Sequence, residues 1–148
     1  MIKVGITGAE SKVAGEIIRL LLNHPDVDLK WIQSEHHVGA RVSDIHQGLI
    51  GECDMVVISQ PRWDEIDVLF NCCHTGSARS FLEHNKEKTE SIKIIDLSGD
   101  FRMSAEDSGF VYGLPELNRK AMERGATKVA NPGAFATAVE LALLPLAK

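Results

Sequence analysis

The sequence predicts an α/β fold in which a doubly wound parallel sheet carries helices on both faces. Three observations lead to this prediction. Short apolar segments alternate with helical ones along the 148 residues, as they do in sheets of this class. The first three elements form a β-α-β unit, and the later segment 92–97 is apolar enough for a strand covered on both faces.

The β-α-β unit begins at the amino terminus. Residues 2–7 are predicted to form a strand that ends in a glycine-containing turn. The next segment repeats apolar residues at the spacing of one helix face, and these are Ala14, Ile17, Ile18, Leu21 and Leu22. Pro25 ends this helix, and residues 27–34 form the second strand. A right-handed crossover should make the two strands parallel.

The rest of the chain continues the alternation. Further strands are predicted at 55–58, 67–72, 92–97 and 128–130, a loop with a short helix at 39–51, and helices at about 77–88, 118–124 and 134–144. We expect one dinucleotide-binding domain over residues 1–148. Because the chain stops just after an apolar helix, where a domain normally ends in a polar segment, we also expect it to be a fragment of a longer protein.

Composition excludes several functions. A net charge of −5 argues against nucleic acid or an anionic membrane surface as the main partner. No apolar stretch approaches the roughly 20 residues of a membrane span, and the first residues do not form a signal peptide. The three cysteines, two of them adjacent, give no disulfide framework, so a cytoplasmic protein is expected. Neither cysteines nor histidines show the spacing of a metal site.

The turn after the first strand is the candidate site for cofactor phosphates. A helix that starts here offers free N–H groups and the positive end of its dipole, and Gly8 permits a tight turn. Ala9, Ser11 and Val13 are the other expected contacts. If position 11 needs a positive φ, Ser11 costs roughly 1–2 kcal/mol, and Glu10 adds negative charge, so weak affinity is expected. The alternative is a plain β-α turn that binds nothing.

The end of the second strand bears on the choice of nicotinamide cofactor. An acidic residue there would hold the ribose 2′-hydroxyl of NAD. Here Ser34 could instead donate to a 2′-phosphate, with Arg41 downstream, so NADP is favoured modestly; Glu35 counts against it. The alternative for Ser34 is an exposed residue at a strand end.

Three later segments carry candidate chemistry. Residues 96–102 follow a strand, and Arg102 could hold a phosphate or carboxylate, or form a structural salt bridge with Asp96, Asp100 or Asp107. Residues 112–118 form a Pro-Gly loop containing Glu116. Asn131-Pro132-Gly133-Ala134 opens the last helix, where a cysteine thiolate would be stabilised as a nucleophile. Ala134 cannot attack anything.

In this order, the segments resemble the amino-terminal, NADP-binding part of N-acetyl-γ-glutamyl-phosphate reductase, an enzyme of arginine biosynthesis. The family's motifs are Asp-Leu-Ser-x-Asp-Phe-Arg, Tyr-Gly-Leu-Pro-Glu and Asn-Pro-Gly-Cys-Tyr/Phe-x-Thr, and its glycine turn carries a glycine where this chain has Ser11. The resemblance implies a Rossmann-type domain without the family's second domain. It also implies reduction of an acyl phosphate to a semialdehyde through a cysteine thioester.

The resemblance also implies roles for single residues. His74 and Gly76 would contact the cofactor, although a structural role for His74 is equally open. The expected substrate-side residues are Ser98, Arg102, Glu116, Asn131 and Gly133. Position 134 would face the nicotinamide ring at the carboxyl rim of the sheet. With alanine there and no second domain, we predict no turnover, whether the alanine was engineered, arose by degeneration or came from redesign.

Other readings of the chain stay open. A non-enzymatic Rossmann-type module that binds a nucleotide or a protein partner is the main alternative. Aspartate-semialdehyde dehydrogenase shares the chemistry, but its cysteine motif lacks the Pro-Gly pair. Cys72 or Cys73 could act as a substitute nucleophile, although core filling is the simpler interpretation. The apolar last helix also predicts a homo-oligomer.

Overall fold

The computed structural model describes residues 1–103 and 108–147. Within them, the strands are β1 (Ile2–Thr7), β2 (Val27–Gln33), β3 (Val68–Asn71), β4 (Lys93–Asp96), β5 (Val111–Tyr112) and β6 (Lys128–Ala130). The α-helices are α1 (Lys12–Leu22), α2 (Val42–Ile45), α3 (Ala78–His84), α4 (Lys86–Thr89), α5 (Pro115–Glu123) and α6 (Ala134–Leu143). Short 3-10 helices occupy Gln47–Leu49, Trp63–Glu65 and Leu144–Leu146.

The strands form one parallel sheet in the order β2-β1-β3-β4-β6-β5. The chain first winds outward from β1 to β2, then returns to the other side of β1 to add β3 and the later strands. A sheet wound in both directions has a crevice at the carboxyl ends of its central strands, where the winding reverses. The predicted doubly wound parallel sheet is therefore confirmed.

Each face of the sheet has its own apolar core. One core joins Val4 and Ile6 of β1 to Ala14 and Ile18 of α1. The other is built around Trp31, Leu69 and Ile94, against which the α3 residues Ala78 and Leu82 pack. Adjacent strand residues point to opposite faces, so β2 serves both cores by placing Trp31 in one and Ile32 in the other.

The predicted strand at residues 55–58 is wrong. This segment makes two isolated bridges, one parallel between Ile58 and Gln33 and one antiparallel between Val56 and Arg41. Its main chain changes partner along its length, because Ile58 donates to the carbonyl of Ile32 (2.9 Å) while Val57 donates to that of Ala40 (2.9 Å). An apolar run that serves two partners in turn does not form a regular ladder.

Two other elements differ from expectation. The helix predicted at 77–88 divides at Asn85, whose side chain donates to the carbonyl of Phe81 (2.9 Å) and ends α3. Helix α5 begins at Pro115, earlier than predicted, with non-helical torsion angles at Asn118. The Asn118 side chain donates to the carbonyl of Tyr112 (2.9 Å). Strand β5, which was not predicted, precedes this loop.

Helix α6 has little cover. It contains no buried residue, and Phe135 at its start is 92% exposed. The Tyr112 hydroxyl donates to the Glu140 carboxylate (3.1 Å to Oε2) and ties the helix to β5. Among the helices that the structure describes, none is long and apolar enough to cross a membrane.

Candidate functional site

The site begins at Gly8, immediately after β1. Gly8 has φ of +75°, a conformation that L side chains rarely adopt. A Cβ at this position would also lie 2.6 Å from the carbonyl carbon of Cys72, at the end of β3. Glycine therefore lets the turn pass close against the neighbouring strand, and this positions the start of α1 at the crevice.

Ser11 caps helix α1. Its φ of −66° is extended backbone, and its hydroxyl accepts a hydrogen bond from the Val13 N–H (3.2 Å). The expected strain from a positive φ at position 11 is therefore absent, because serine is a favoured N-cap residue in this conformation. The cap engages one of the N–H groups that a helix N-terminus could offer to a phosphate.

His46 holds the turn from the other side. Its Nε2 lies 2.7 Å from the carbonyl oxygen of Ala9, to which it donates, while the Ala9 N–H donates to the carbonyl of Gln33 (3.1 Å). Ala9 itself is buried, so its main chain is committed to the protein and fixes the loop. Nothing in the spacing of the sequence pointed to His46, which lies far along the chain from Ala9.

A cleft of about 530 Å³ opens beside this turn. The end of β1 contributes Gly8 and Glu10, the end of β2 contributes Ser34 and its neighbours, and the loop after β3 contributes His74. The α3–α4 side completes it with Ser77, Ser80, Phe81, His84, Asn85 and Lys88. The cleft thus lies at the carboxyl ends of the strands, where ligands of this fold class bind.

Ser34 is part of the cleft wall but is 2% exposed. Its hydroxyl oxygen accepts a hydrogen bond from the His36 N–H (3.1 Å), and the hydroxyl also interacts with the Glu10 carboxylate. The alternative interpretation of Ser34 as an exposed residue is therefore wrong. Arg41 is exposed at the start of α2 and lies outside this cleft.

Glu10 places a carboxylate in the cleft. Its Oε2 atom is buried and has no hydrogen-bond partner within residues 1–103 and 108–147. Burial raises the pKa of Glu10. The opposing effects are larger and bring the net pKa below the usual range; they come from the Ser34 hydroxyl, the main chain of Glu10 and the nearby His36 and His74. The group is therefore an anion at neutral pH.

A second cleft of about 180 Å³ continues from the turn towards β4. Ser11 and Val13 lie on one side, Ser98 on the other, and His74 belongs to both clefts. Gly76 lines neither cleft; its N–H donates to the Asp100 carboxylate (2.6 Å), which joins the loops after β3 and β4. The structure thus gathers the glycine turn, His74 and Ser98 around one crevice.

Cys72 and Cys73 line this second cleft, but neither is prepared for nucleophilic attack. Burial raises the pKa of the Cys72 thiol far above its usual value. Burial also raises the pKa of the Cys73 thiol, to about 11. Because the thiolate is the reactive form, these environments favour the interpretation of both residues as core filling.

Arg102 joins the loop after β4 to the Asn-Pro-Gly turn. Its Nε donates to the carbonyl of Asn131 (2.8 Å) and its Nη2 to that of Leu97 (2.9 Å). A Cβ at Gly133 would lie 3.0 Å from Arg102 Nη1, so the guanidinium lies against the turn. One of its suggested partners, Asp107, is outside the described residues.

The remaining predicted residues lie along the same rim. Ala134 is the first residue of α6 and is exposed, with Gly133 as the N-cap; it lines neither of the two clefts. Glu116 is exposed in the first turn of α5. Within the part of the chain that the structure describes, no group of three or more His, Cys, Asp or Glu side chains could hold a metal ion.

Comparison with known proteins assigns the fold and the family. The model of the semialdehyde dehydrogenase NAD-binding domain matches residues 3–125. The chain is 52% identical over 149 residues to N-acetyl-gamma-glutamyl-phosphate reductase of Phocaeicola vulgatus, and 50% identical over 148 residues to that of Parabacteroides distasonis. All of this chain is covered in both comparisons, and it spans 45% of each relative's length.

Solved structures agree with the fold. Aspartate semialdehyde dehydrogenase with NADP from Candida albicans superposes with a TM-score of 0.75 at 18% identity, covering 99% of this chain and 46% of that one. Aspartate semialdehyde dehydrogenase II from Vibrio cholerae gives 0.74 at 20% identity, with 99% and 42% coverage. The glycine turn, the crevice at the strand ends and the matched family model lead to one conclusion: this chain belongs to the semialdehyde dehydrogenase NAD-binding domain family.

Proposed function

We propose that this chain is the NADP-binding part of an N-acetyl-γ-glutamyl-phosphate reductase and is inactive while alanine occupies position 134. The observation that carries the proposal is the crevice itself. Gly8 and the capped start of α1 adjoin the end of β2 on one side and the loops after β3 and β4 on the other. The identity to reductases over the whole chain supports the choice of reaction.

The residues present fit a dinucleotide. The larger cleft, with Ser34, would take the adenosine half, and the Lys88 ammonium group and the His84 side chain on its α3–α4 side could contact a 2′-phosphate. The first-turn N–H groups of α1 suit the pyrophosphate. The smaller cleft, between Val13 and Ser98, leads on towards the nicotinamide half. We also propose a cytoplasmic location, because Cys53, Cys72 and Cys73 are all free thiols.

The proposed reaction needs a nucleophile at the start of α6. A thiolate at position 134 would bond to the acyl carbon, and the carbon–oxygen bond to phosphate would break to release inorganic phosphate. A nicotinamide held in the crevice would supply the hydride that reduces the thioester carbon; the carbon–sulfur bond would then break, releasing the aldehyde and regenerating the thiolate. Free N–H groups at the start of α6 would stabilise that thiolate, while Arg102 keeps the Asn131-Gly133 turn in place.

A binding module without catalysis is the second candidate. Such a module would bind a nucleotide or a protein partner. It is favoured by the methyl group at Ala134 and by Ser11, which stands where the reductase family carries a glycine. A test of turnover separates it from the reductase.

The decisive experiment is a chimera. Residues 1–148 replace the matching part of the Phocaeicola vulgatus relative, once with Ala134 and once with Ala134→Cys. We expect phosphate-dependent, NADP-linked oxidation of the semialdehyde only in the cysteine form, with at least about a thousandfold difference in kcat, because the covalent route requires sulfur.

The control keeps the added polarity but removes the nucleophilic sulfur. An Ala134→Ser chimera should remain close to the alanine form, since an alcohol is not activated at this position. A folded Ala134→Cys chimera that binds NADPH but shows no turnover would contradict the reductase proposal and favour the binding module.

A further inference from the structure

Glu10 stands out in the larger cleft. It lies between Gly8, which makes the turn, and Ser11, which caps α1, and its side chain faces the end of β2. Its Oε2 atom is buried, and the residues that the structure describes offer it no hydrogen-bond donor. A buried acceptor without a donor costs free energy. A ligand that donates an O–H or N–H group to this oxygen would remove that cost and so gain affinity.

The Ser34 hydroxyl is already engaged near this carboxylate. Its oxygen accepts the His36 N–H (3.1 Å), and its hydrogen bond to Glu10 contributes to the low pKa of that group. Ser34 is therefore not the free donor that a ribose 2′-phosphate would require. Its hydroxyl instead stabilises the ionised carboxylate of Glu10.

The charges around the cleft divide between two sides. The ends of β1 and β2 contribute two carboxylates, Glu10 and Glu35, beside His36. The α3–α4 side contributes the ammonium group of Lys88. A phosphate group beside Ser34 would meet the negative side, and like charges repel strongly where water is partly excluded. A ribose hydroxyl in the same place would donate to the unpartnered carboxylate oxygen.

We propose that Glu10 is a specificity-determining residue of the nucleotide cleft, whose carboxylate accepts a ribose hydroxyl and disfavours a phosphate on that ribose. The inference rests on the proposed function, in which this cleft holds the adenosine half of a nicotinamide dinucleotide. It attributes the expected weak binding of NADPH to a charge in the cleft, and it requires no backbone strain at Ser11.

The test compares NADPH and NADH binding to the whole chain and to Glu10→Gln, by titration of nicotinamide fluorescence. Glutamine keeps the size of the side chain and removes its charge. We expect NADPH to bind roughly tenfold more tightly to the variant, equivalent to about 1.4 kcal/mol, and NADH to bind no more tightly than before. Glu10→Ala should shift NADPH affinity in the same direction, which guards against an effect peculiar to the amide.

Glu16→Gln is the matched control. Glu16 lies on α1, outside both clefts, and pairs with Arg19 at 2.8 Å with its side chain 68% exposed. The Glu16→Gln substitution changes the net charge by the same amount as Glu10→Gln but should leave the affinities for NADPH and NADH unaltered. Glu10 variants that leave NADPH affinity unchanged, or that change NADPH and NADH affinity equally, overturn the inference and leave the proposed function standing. If neither the chain nor its variants bind either nucleotide, both proposals fail.

Discussion

At the scale of single residues, Asp96 organises the carboxyl edge of the sheet. Its Oδ1 accepts from the Asn71 side chain (2.7 Å) and its Oδ2 from the Ser98 hydroxyl (2.7 Å). Asn71 in turn accepts from the Thr7 hydroxyl (2.9 Å). These contacts connect the ends of β1, β3 and β4, around the smaller cleft. All four side chains are buried.

The buried carboxyl group predicts an unusual pH dependence. Burial raises the pKa of Asp96, and the hydrogen bonds from Ser98 and Asn71 lower it only in part, so the net pKa is raised. A group with a raised pKa in the folded state contributes stability that is complete below its ordinary pKa of 3.8 and is lost as the pH rises through the folded-state value.

We therefore expect the wild-type chain to gain free energy of unfolding relative to Asp96→Asn as the pH falls from neutral towards the ordinary pKa. Urea-induced unfolding of both proteins at several pH values measures this difference. Asp54→Asn, at an exposed position, is the control and should show no such trend. A difference between wild type and Asp96→Asn that is constant with pH would refute the assignment.

At the scale of elements, α1 is positioned by contact with the loop that carries His46. A Cβ on Gly15 would lie 2.6 Å from His46 Nδ1, and the same ring holds the Ala9 carbonyl at 2.7 Å through Nε2. Alanine is favoured over glycine inside a helix by about 1 kcal/mol, so Gly15 is retained at a cost in helix stability. The contact with His46 accounts for that cost.

Making Gly15→Ala in the wild-type chain and in a His46→Ala variant separates the contact with His46 from the helix propensity of alanine. Gly15→Ala should destabilise the wild-type chain by about 1–3 kcal/mol, because the methyl group displaces the imidazole. In a His46→Ala background the same change should stabilise by about 1 kcal/mol. Equilibrium urea unfolding gives all four values. Gly48→Ala, where a Cβ meets nothing within 4 Å, should change stability by the same small amount in both backgrounds. The same sign for Gly15→Ala in both backgrounds would contradict the explanation.

Local patterns predicted the elements that depend on local interactions. Strand β1 was predicted as a short strand that ends in a glycine-containing turn, and helix α1 was predicted because its sequence repeats one apolar face. The prediction of a strand at 55–58 was wrong because the main-chain hydrogen bonds of this segment pass from the 39–42 loop to β2. That change of partner is set by the tertiary structure, which a local sequence pattern does not show. Strand β5 was missed since Val111–Tyr112 is too short to form a pattern of its own.

The sequence predicted those site residues that follow predicted strands or match a family motif. Gly8, Ser34 and His74 were identified from their places after predicted strands or from family resemblance, and the structure brings all three into one cleft. The contribution of His46 could not be found, because it depends on a contact across 37 positions of sequence. The negative charge of Glu10 was noted from its place in the glycine turn, but the burial of its unpartnered Oε2 atom could not be predicted, because composition and spacing do not reveal it.

At the scale of the whole molecule, α6 presents an uncovered apolar stripe. Phe135, Val139 and Leu143 recur every four residues and are 92%, 57% and 56% exposed, and residues at this spacing share one helix face. Leu146 follows at 80%. A contiguous apolar surface of this kind favours association in water, so the chain should form oligomers through α6 as its concentration rises.

Sedimentation velocity over a wide concentration range tests this expectation. Phe135→Gln combined with Leu143→Gln should shift the chain towards monomer, because each change removes an apolar side chain from the stripe while keeping a good helix former. Leu20→Gln, at an exposed position of α1, removes the same kind of surface elsewhere and should leave association intact. A double variant that associates as strongly as wild type, or a wild-type chain that stays monomeric throughout, would show that α6 does not mediate contact between copies.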